Sequence, residues 1–182
     1  MRKICDIDVQ PLLDVLDESD WYTQHTTERQ QKYKVHRQVL TIPLMSGNNA
    51  VEAPVDEVSP KTEFFDKYYI PEVFDTLRDA LKRDLGDGFY LRIIMANLPS
   101  GASIPTHPDV GRSLLENARI HVPLMTHHDV TFTVDGIDYH PEVGGVYELD
   151  NRLRHGVVNN SPIDRVHIIA DWHVSREIHE HI

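Results

Sequence analysis

The pattern of apolar and polar positions changes character at Gly88. Before it, Val9, Leu12, Leu13 and Leu16 recur at helical spacing with Pro11 in a first turn, predicting a short amphipathic helix over 9–18 that ends at Trp21 and Tyr22. Residues 23–31 are polar and aperiodic, and KVHRQVLTIPL (34–44) has the β-branched composition of a strand. Gly, Asn and Pro over residues 45–60 predict a long loop, a candidate rim or lid. The strongest helix signal follows. Val73, Phe74, Leu77, Ala80 and Leu81 repeat every three or four positions between Pro71-Glu72, which can start a helix, and Leu85-Gly86, which stops it.

After Gly88 the period shortens to that of strands: FYLRIIMANL (89–98), ASIPTH (102–107), ARIHVPLM (118–125), DVTFTVDG (129–136), IDYHP (137–141), GGVYELD (144–150), RHGVVNN (154–160) and DRVHIIADW (164–172). Turn residues separate them and no regular helix intervenes, so an antiparallel double-sheet barrel or sandwich is expected rather than a parallel α/β sheet. The 182 residues suffice for a single core, read as one domain with a helical and loop-rich flank carrying one strand (1–88), a β core (89–172) and a short tail (173–182).

Composition narrows the partners. Twenty-nine acidic against 18 basic residues give a net charge of −11, a field that repels phosphate backbones and anionic membranes, so neither nucleic acid nor membrane is expected. No apolar run approaches the length of a membrane span, and the opening MRKICDIDVQ lacks an apolar leader segment. One cysteine, Cys5, excludes an intrachain disulfide, and a cytoplasmic location is the expectation. The sequence does not set an oligomeric state; a homodimer is the default.

Candidate chemistry centres on three residues. His107 and Asp109 are two apart in a strand-like run and can point to one side, and His155 can reach them if the sheet folds back. Two imidazoles and one carboxylate are the facial triad of non-haem Fe(II) oxygenases, although zinc accepts the same donors. Alone the pattern is unspecific, because the chain has 12 histidines and most histidines lie at surfaces or in satisfied cores. Arg119 with His121, and Arg165 with His167, add two matched pairs, each on one side of an apolar strand. A buried arginine needs a partner. A dicarboxylate such as 2-oxoglutarate would supply one by a bidentate contact while its keto acid end chelates iron; internal salt bridges to Asp150 or Asp171 would supply another. Trp21, Tyr33, His36 and Arg37, with Asn48 and Asn49 in the loop, are candidate substrate contacts. Tyr147, Asp150 and Asn151 are candidates for orienting His155.

Six stretches, LPSGASIPTHPDVG (98–111), ARIHVPLMT (118–126), VTFTVDG (130–136), GGVYELDN (144–151), HGVVNNS (155–161) and DRVHIIADW (164–172), with a weaker likeness in YKVHRQVLTIPL (33–44), resemble the aspartyl/asparaginyl beta-hydroxylase family of Fe(II)- and 2-oxoglutarate-dependent oxygenases. The resemblance implies a double-stranded β-helix (jelly-roll, cupin-like) core with N-terminal flanking helices. It implies iron held by His107 and His155 with Asp109 completing the triad, Arg165 on the distal carboxylate of 2-oxoglutarate, and Arg119 and His121 lining that pocket. The implied activity is dioxygen-dependent hydroxylation of an amino-acid-like substrate, free or within a peptide, with release of succinate and carbon dioxide. A non-catalytic jelly-roll protein that binds a metal and a small organic acid is the competing reading. The chain departs from the family pattern at Thr126-His127-His128, where Asn-Pro often follows the threonine, and at Gly145, where an acidic residue is common.

Overall fold

The computed structural model describes residues 1–22, 30, 34–45 and 60–175. Tyr33, Asn48, Asn49, nearly all of the expected lid and the end of the tail lie outside the described residues.

Among the described residues, ten strands form two sheets: β1 (Arg2–Asp6), β2 (Leu40–Met45), β3 (Gly88–Leu98), β4 (Ser103–His107), β5 (Ala118–Met125), β6 (Val130–Val134), β7 (Ile137–Tyr139), β8 (Gly145–Leu149), β9 (His155–Asn159) and β10 (Arg165–Val174). The six-stranded sheet runs β1-β8-β5-β10-β3-β2 and the four-stranded sheet β4-β9-β6-β7, every described pairing antiparallel. The two sheets face each other as a jelly roll. The eight strands expected after Gly88 are all present.

Helices α1 (Gln10–Leu13), α2 (Phe65–Tyr68), α3 (Pro71–Leu85) and α4 (Arg112–Leu115) accompany them. In α3, Val73, Phe74, Leu77, Ala80 and Leu81 are all buried, as their spacing requires. Val73, Phe74, Leu77 and Leu81 pack with Ile93, Met95, Ile120, Val122, Val166, Ile168, Ala170 and Trp172 on the outer face of the six-stranded sheet. A second core, with Ala96, Leu98, Val130, Phe132, Val134 and Val157, lies between the sheets. Alternation along β10 serves both layers: Val166, Ile168, Ala170 and Trp172 face α3, whereas Arg165, His167, Ile169 and Asp171 have the opposite parity. No helix among the described residues is long and apolar enough to cross a membrane.

The flank departs from its expected form in three places. The helix expected over 9–18 stops at Leu13, because Asp17 turns to accept the Ser19 N–H and hydroxyl and starts a separate 3₁₀ turn, Glu18–Tyr22. The strand expected over 34–44 begins only at Leu40, after a 3₁₀ turn at Lys34–His36 closed by the Val39 N–H donating to the His36 carbonyl. Residues 2–6 are strand β1, an edge strand paired with β8, so the flank contributes two strands to the larger sheet. At the other end β10 continues two residues past Trp172 into the expected tail.

Candidate metal and anion site

The site begins with one close approach between strands. In the β4–β9 register His107 lies opposite His155, beyond a bulge that follows Ile104. Gly156 makes this possible: a Cβ there would lie 2.9 Å from the Ile104 carbonyl oxygen and 3.1 Å from the Thr106 backbone. The two imidazoles therefore stand side by side, their centroids 4.7 Å apart. Asp109 follows His107 on a loop held by its N–H donating to the Asn151 carbonyl at 3.0 Å. One carboxylate oxygen, Oδ1, is 3.9 Å from Nε2 of both histidines.

Each ring is oriented from behind. His107 Nδ1 lies 2.8 Å from the Pro105 carbonyl and His155 Nδ1 2.9 Å from the Leu153 carbonyl. A carbonyl only accepts, so each Nδ1 carries a proton, and in the neutral form of each ring the lone pair is on Nε2. His107 Nε2 is buried without a hydrogen-bond partner, and burial keeps the His155 pKa below its ordinary value against the opposing pull of the Leu153 carbonyl and Asp109. Two imidazoles and a carboxylate converging on one point, with a buried orphan nitrogen among them, fit a divalent metal. His155 is thus oriented by Leu153, not by Tyr147, Asp150 or Asn151. Tyr147 accepts the Glu142 N–H, Asp150 binds Arg152, and the Asn151 side chain donates to the Leu114 carbonyl.

The two arginines have different occupations. Arg119 borders the cavity, as expected, but its donors are committed to protein carboxylates. Its Nη1 donates to Asp109 Oδ2 at 2.7 Å, and its Nε and Nη2 donate to Asp171 at 2.9 and 3.2 Å. Asp171 also accepts from Arg92 on β3. The register places Asp171 across from Arg92 on one side and Arg119 on the other, so the bridge follows from strand pairing. Burial alone would raise the Asp171 carboxyl, but Arg119 and Arg92 outweigh it and hold it at about 2. The salt-bridge alternative therefore holds for Arg119, with Asp171 as the partner.

Arg165 is also fully buried, yet among the described residues no carboxylate pairs with it. It donates to His167 Nδ1 at 2.8 Å and lies 5.5 Å from the Phe132 ring centroid. Burial lowers its pKa to about 9, which leaves it a cation at neutral pH. His121 stands near it, edge-on to Phe132, with both ring nitrogens buried and unpartnered. Burial first, then the charges of Arg165 and Arg119, drives the His121 pKa well below its ordinary value; burial and Arg165 do the same to His167.

His107, Asp109, His155, His121, Phe132 and Arg165 line one cavity, and His167 holds Arg165 from behind. The cavity is narrow, with about 40 Å³ of space that the centre of a water molecule can reach. His36 is on the wall, its ring edge-on to His107 at 5.3 Å, and exposed Arg154 is fixed nearby through Thr106. Arg37 is exposed on the turn after His36. Trp21 does not line this cavity: it is 3% exposed in the core beneath the outer face of the larger sheet. His127, His128 and Asp129 also cluster, but on an exposed turn in which the Asp129 N–H already donates to His127 Nδ1. Gly145 answers to local packing, since a Cβ there would lie 2.5 Å from the Tyr147 ring.

Sequence reasoning missed Arg92 and Phe132 as parts of the site and named Asp171 only as a possible bridge. Arg92 carried a usable signal, a charge inside the apolar run FYLRIIMANL; Phe132 carried none that separates it from core.

A jelly roll with two histidines and a carboxylate converging between its sheets defines a cupin-type candidate metalloprotein. The model of the family Aspartyl/Asparaginyl beta-hydroxylase matches residues 66–174, more than half of the chain, and the chain belongs to that family. Among solved structures, an oxidoreductase of the 2OG-Fe(II) oxygenase family from Burkholderia pseudomallei is similar over 93% of both chains, at 14% identity and a TM-score of 0.59. The non-heme monooxygenase ThoJ in complex with nickel is similar over 96% of this chain and 73% of that one, at 15% identity and a TM-score of 0.56. A predicted oxalate decarboxylase from Thermotoga maritima aligns over 45% of this chain, at 20% identity and a TM-score of 0.37; the alignment spans 65% of that protein, less than two thirds. No curated protein sequence matches the chain significantly.

Proposed function

We propose that the protein is an Fe(II)- and 2-oxoglutarate-dependent dioxygenase that hydroxylates an amino-acid-like substrate, free or within a peptide. The observation that carries this reading is Arg165, a buried cation with no carboxylate partner among the described residues, in the same cavity as three converging metal donors. Burying an unpaired charge costs several kcal/mol. A ligand carboxylate reaching Arg165 would remove that cost, and the planar guanidinium suits a two-point contact.

Charge balance favours a dianion. Arg119 and Arg92 neutralise Asp109 and Asp171 in pairs, so a divalent ion at the triad would share the cavity with the uncompensated charge of Arg165. The narrow cavity, with room for about three water molecules, suits the slender carboxyethyl end of 2-oxoglutarate, whose keto acid end would extend toward the triad. Iron, when bound, supplies the oxidation chemistry: dioxygen and 2-oxoglutarate are consumed, one oxygen atom enters a C–H bond of the substrate, and the other leaves in succinate as carbon dioxide is released.

The protein's residues bind and orient. His107, Asp109 and His155 hold the metal from one side, Arg165 and His121 receive the acid, and the apolar walls of Phe132, Val39 and Ile169 limit water. Incubation with Fe(II), 2-oxoglutarate and dioxygen in the presence of amino acid and peptide mixtures tests the proposal. Iron-dependent succinate, with a product one oxygen atom heavier, is expected. Metal and keto acid binding without either product would point instead to a non-catalytic binder of organic acids.

A further inference from the structure

Asp109 sits between two demands. Its Oδ1 faces the two imidazole Nε2 atoms, and its Oδ2 is held at 2.7 Å by a single N–H of Arg119. A guanidinium free to choose would offer a carboxylate two parallel N–H bonds. Arg119 does not, because its Nε and Nη2 are committed to Asp171, and Asp171 is itself held in place by Arg92. All of Asp109, Arg119 and Asp171 are buried, so water does not compete for these bonds.

We infer that Asp171 is a positioning residue for the metal: through Arg119 it fixes the plane of the Asp109 carboxylate and reserves one oxygen for the ion. This rests on the reading of Asp109 as a metal ligand. Remove the charge of Asp171 and Arg119 can turn its two-pronged edge onto Asp109, engaging both oxygens and drawing Oδ1 away from the histidines. Arg92 completes the device by compensating the second of the two negative charges, that of Asp171, which leaves the four-residue chain neutral. The arrangement also divides labour between the buried arginines. Arg119 is spent on the metal ligand, and Arg165 is left for an anion.

The test is cobalt(II) binding to the full chain without any keto acid, read as a dissociation constant and as the visible absorption of the bound ion, which reports how its ligands are arranged. Asp171→Asn should weaken binding by about 10- to 100-fold and change that absorption, and should do neither in an Asp109→Ala background. Such non-additivity separates positioning from general loosening of the fold. Arg119→Lys, which keeps the charge but cannot bridge both carboxylates with a planar fork, is the second variant and carries the same expectation. Wild-type protein that binds no cobalt, or Asp109→Ala that binds it as tightly, overturns the metal reading itself. Binding that needs Asp109 but ignores Asp171→Asn, or is weakened equally when Asp109 is absent, overturns the positioning role alone. Failure of both variants to fold also overturns it, since the chain of charges would then serve stability.

Discussion

At the scale of single residues, two arginines in similar apolar strands have opposite fates, and the difference is a matter of neighbours. Arg119 meets Asp171 across one strand pair; Arg165 meets Leu98 on β3 at its own register position and His167 two residues along its own strand. Both were legible from the sequence as buried charges, because each interrupts an apolar run. Which one had a protein partner was not, since pairing across strands depends on register, and a shift of one residue moves every side chain to the other face. Replacing Arg165 with Ala should raise the 2-oxoglutarate concentration needed for half-saturation by about 30-fold or more, the equivalent of about 2 kcal/mol for a buried charge contact. Metal affinity measured without the keto acid should stay within a factor of about two. An unchanged half-saturation would place the anion elsewhere.

At the scale of elements, legibility followed burial. Helix α3 and the strands from β3 to β10 declare themselves because one face of each is apolar and turn residues separate them. Strand β1 was missed: it is an edge strand with burial concentrated at Ile4 and Cys5 and charges on Arg2, Lys3 and Asp6, so its alternation is faint. The contribution of α3 is measurable. Leu77 is fully buried against the outer face of the sheet, and Leu77→Ala should cost about 3 kcal/mol in denaturant unfolding; a loss below about 1 kcal/mol would mean the helix packs loosely. The β4–β9 contact makes a sharper demand. Gly156→Ala forces these strands apart where His107 faces His155, and should abolish tight metal binding while secondary structure by circular dichroism remains. Retained metal affinity would show that β4 is free to yield.

At the scale of the whole molecule, the fold keeps two imidazoles neutral deep between its sheets. His121 and His167 have pKa values well below the ordinary histidine range, chiefly through burial. The unfolded chain takes up a proton on each as pH drops through about 6.5, whereas the folded protein does not. Below that pH the unfolded state binds more protons, so folding stability falls as pH falls. The thermal midpoint of the metal-free protein should decline between about pH 7 and pH 5, and His121→Gln should flatten part of the slope. A midpoint that holds steady or rises over that range would mean the two rings are already protonated in the folded state.

A metal at His107, Asp109 and His155 and a keto acid anchored at Arg165 make one proposed site. Anaerobic titration of the protein with Fe(II) and then 2-oxoglutarate tests both ends at once, because chelation of Fe(II) by a 2-keto acid produces a visible charge-transfer absorption. The account predicts an absorption that saturates at one iron per chain, is lost in His155→Ala, and in Arg165→Ala requires far more 2-oxoglutarate. An absorption absent from the wild-type protein, or unaltered by either substitution, would contradict it.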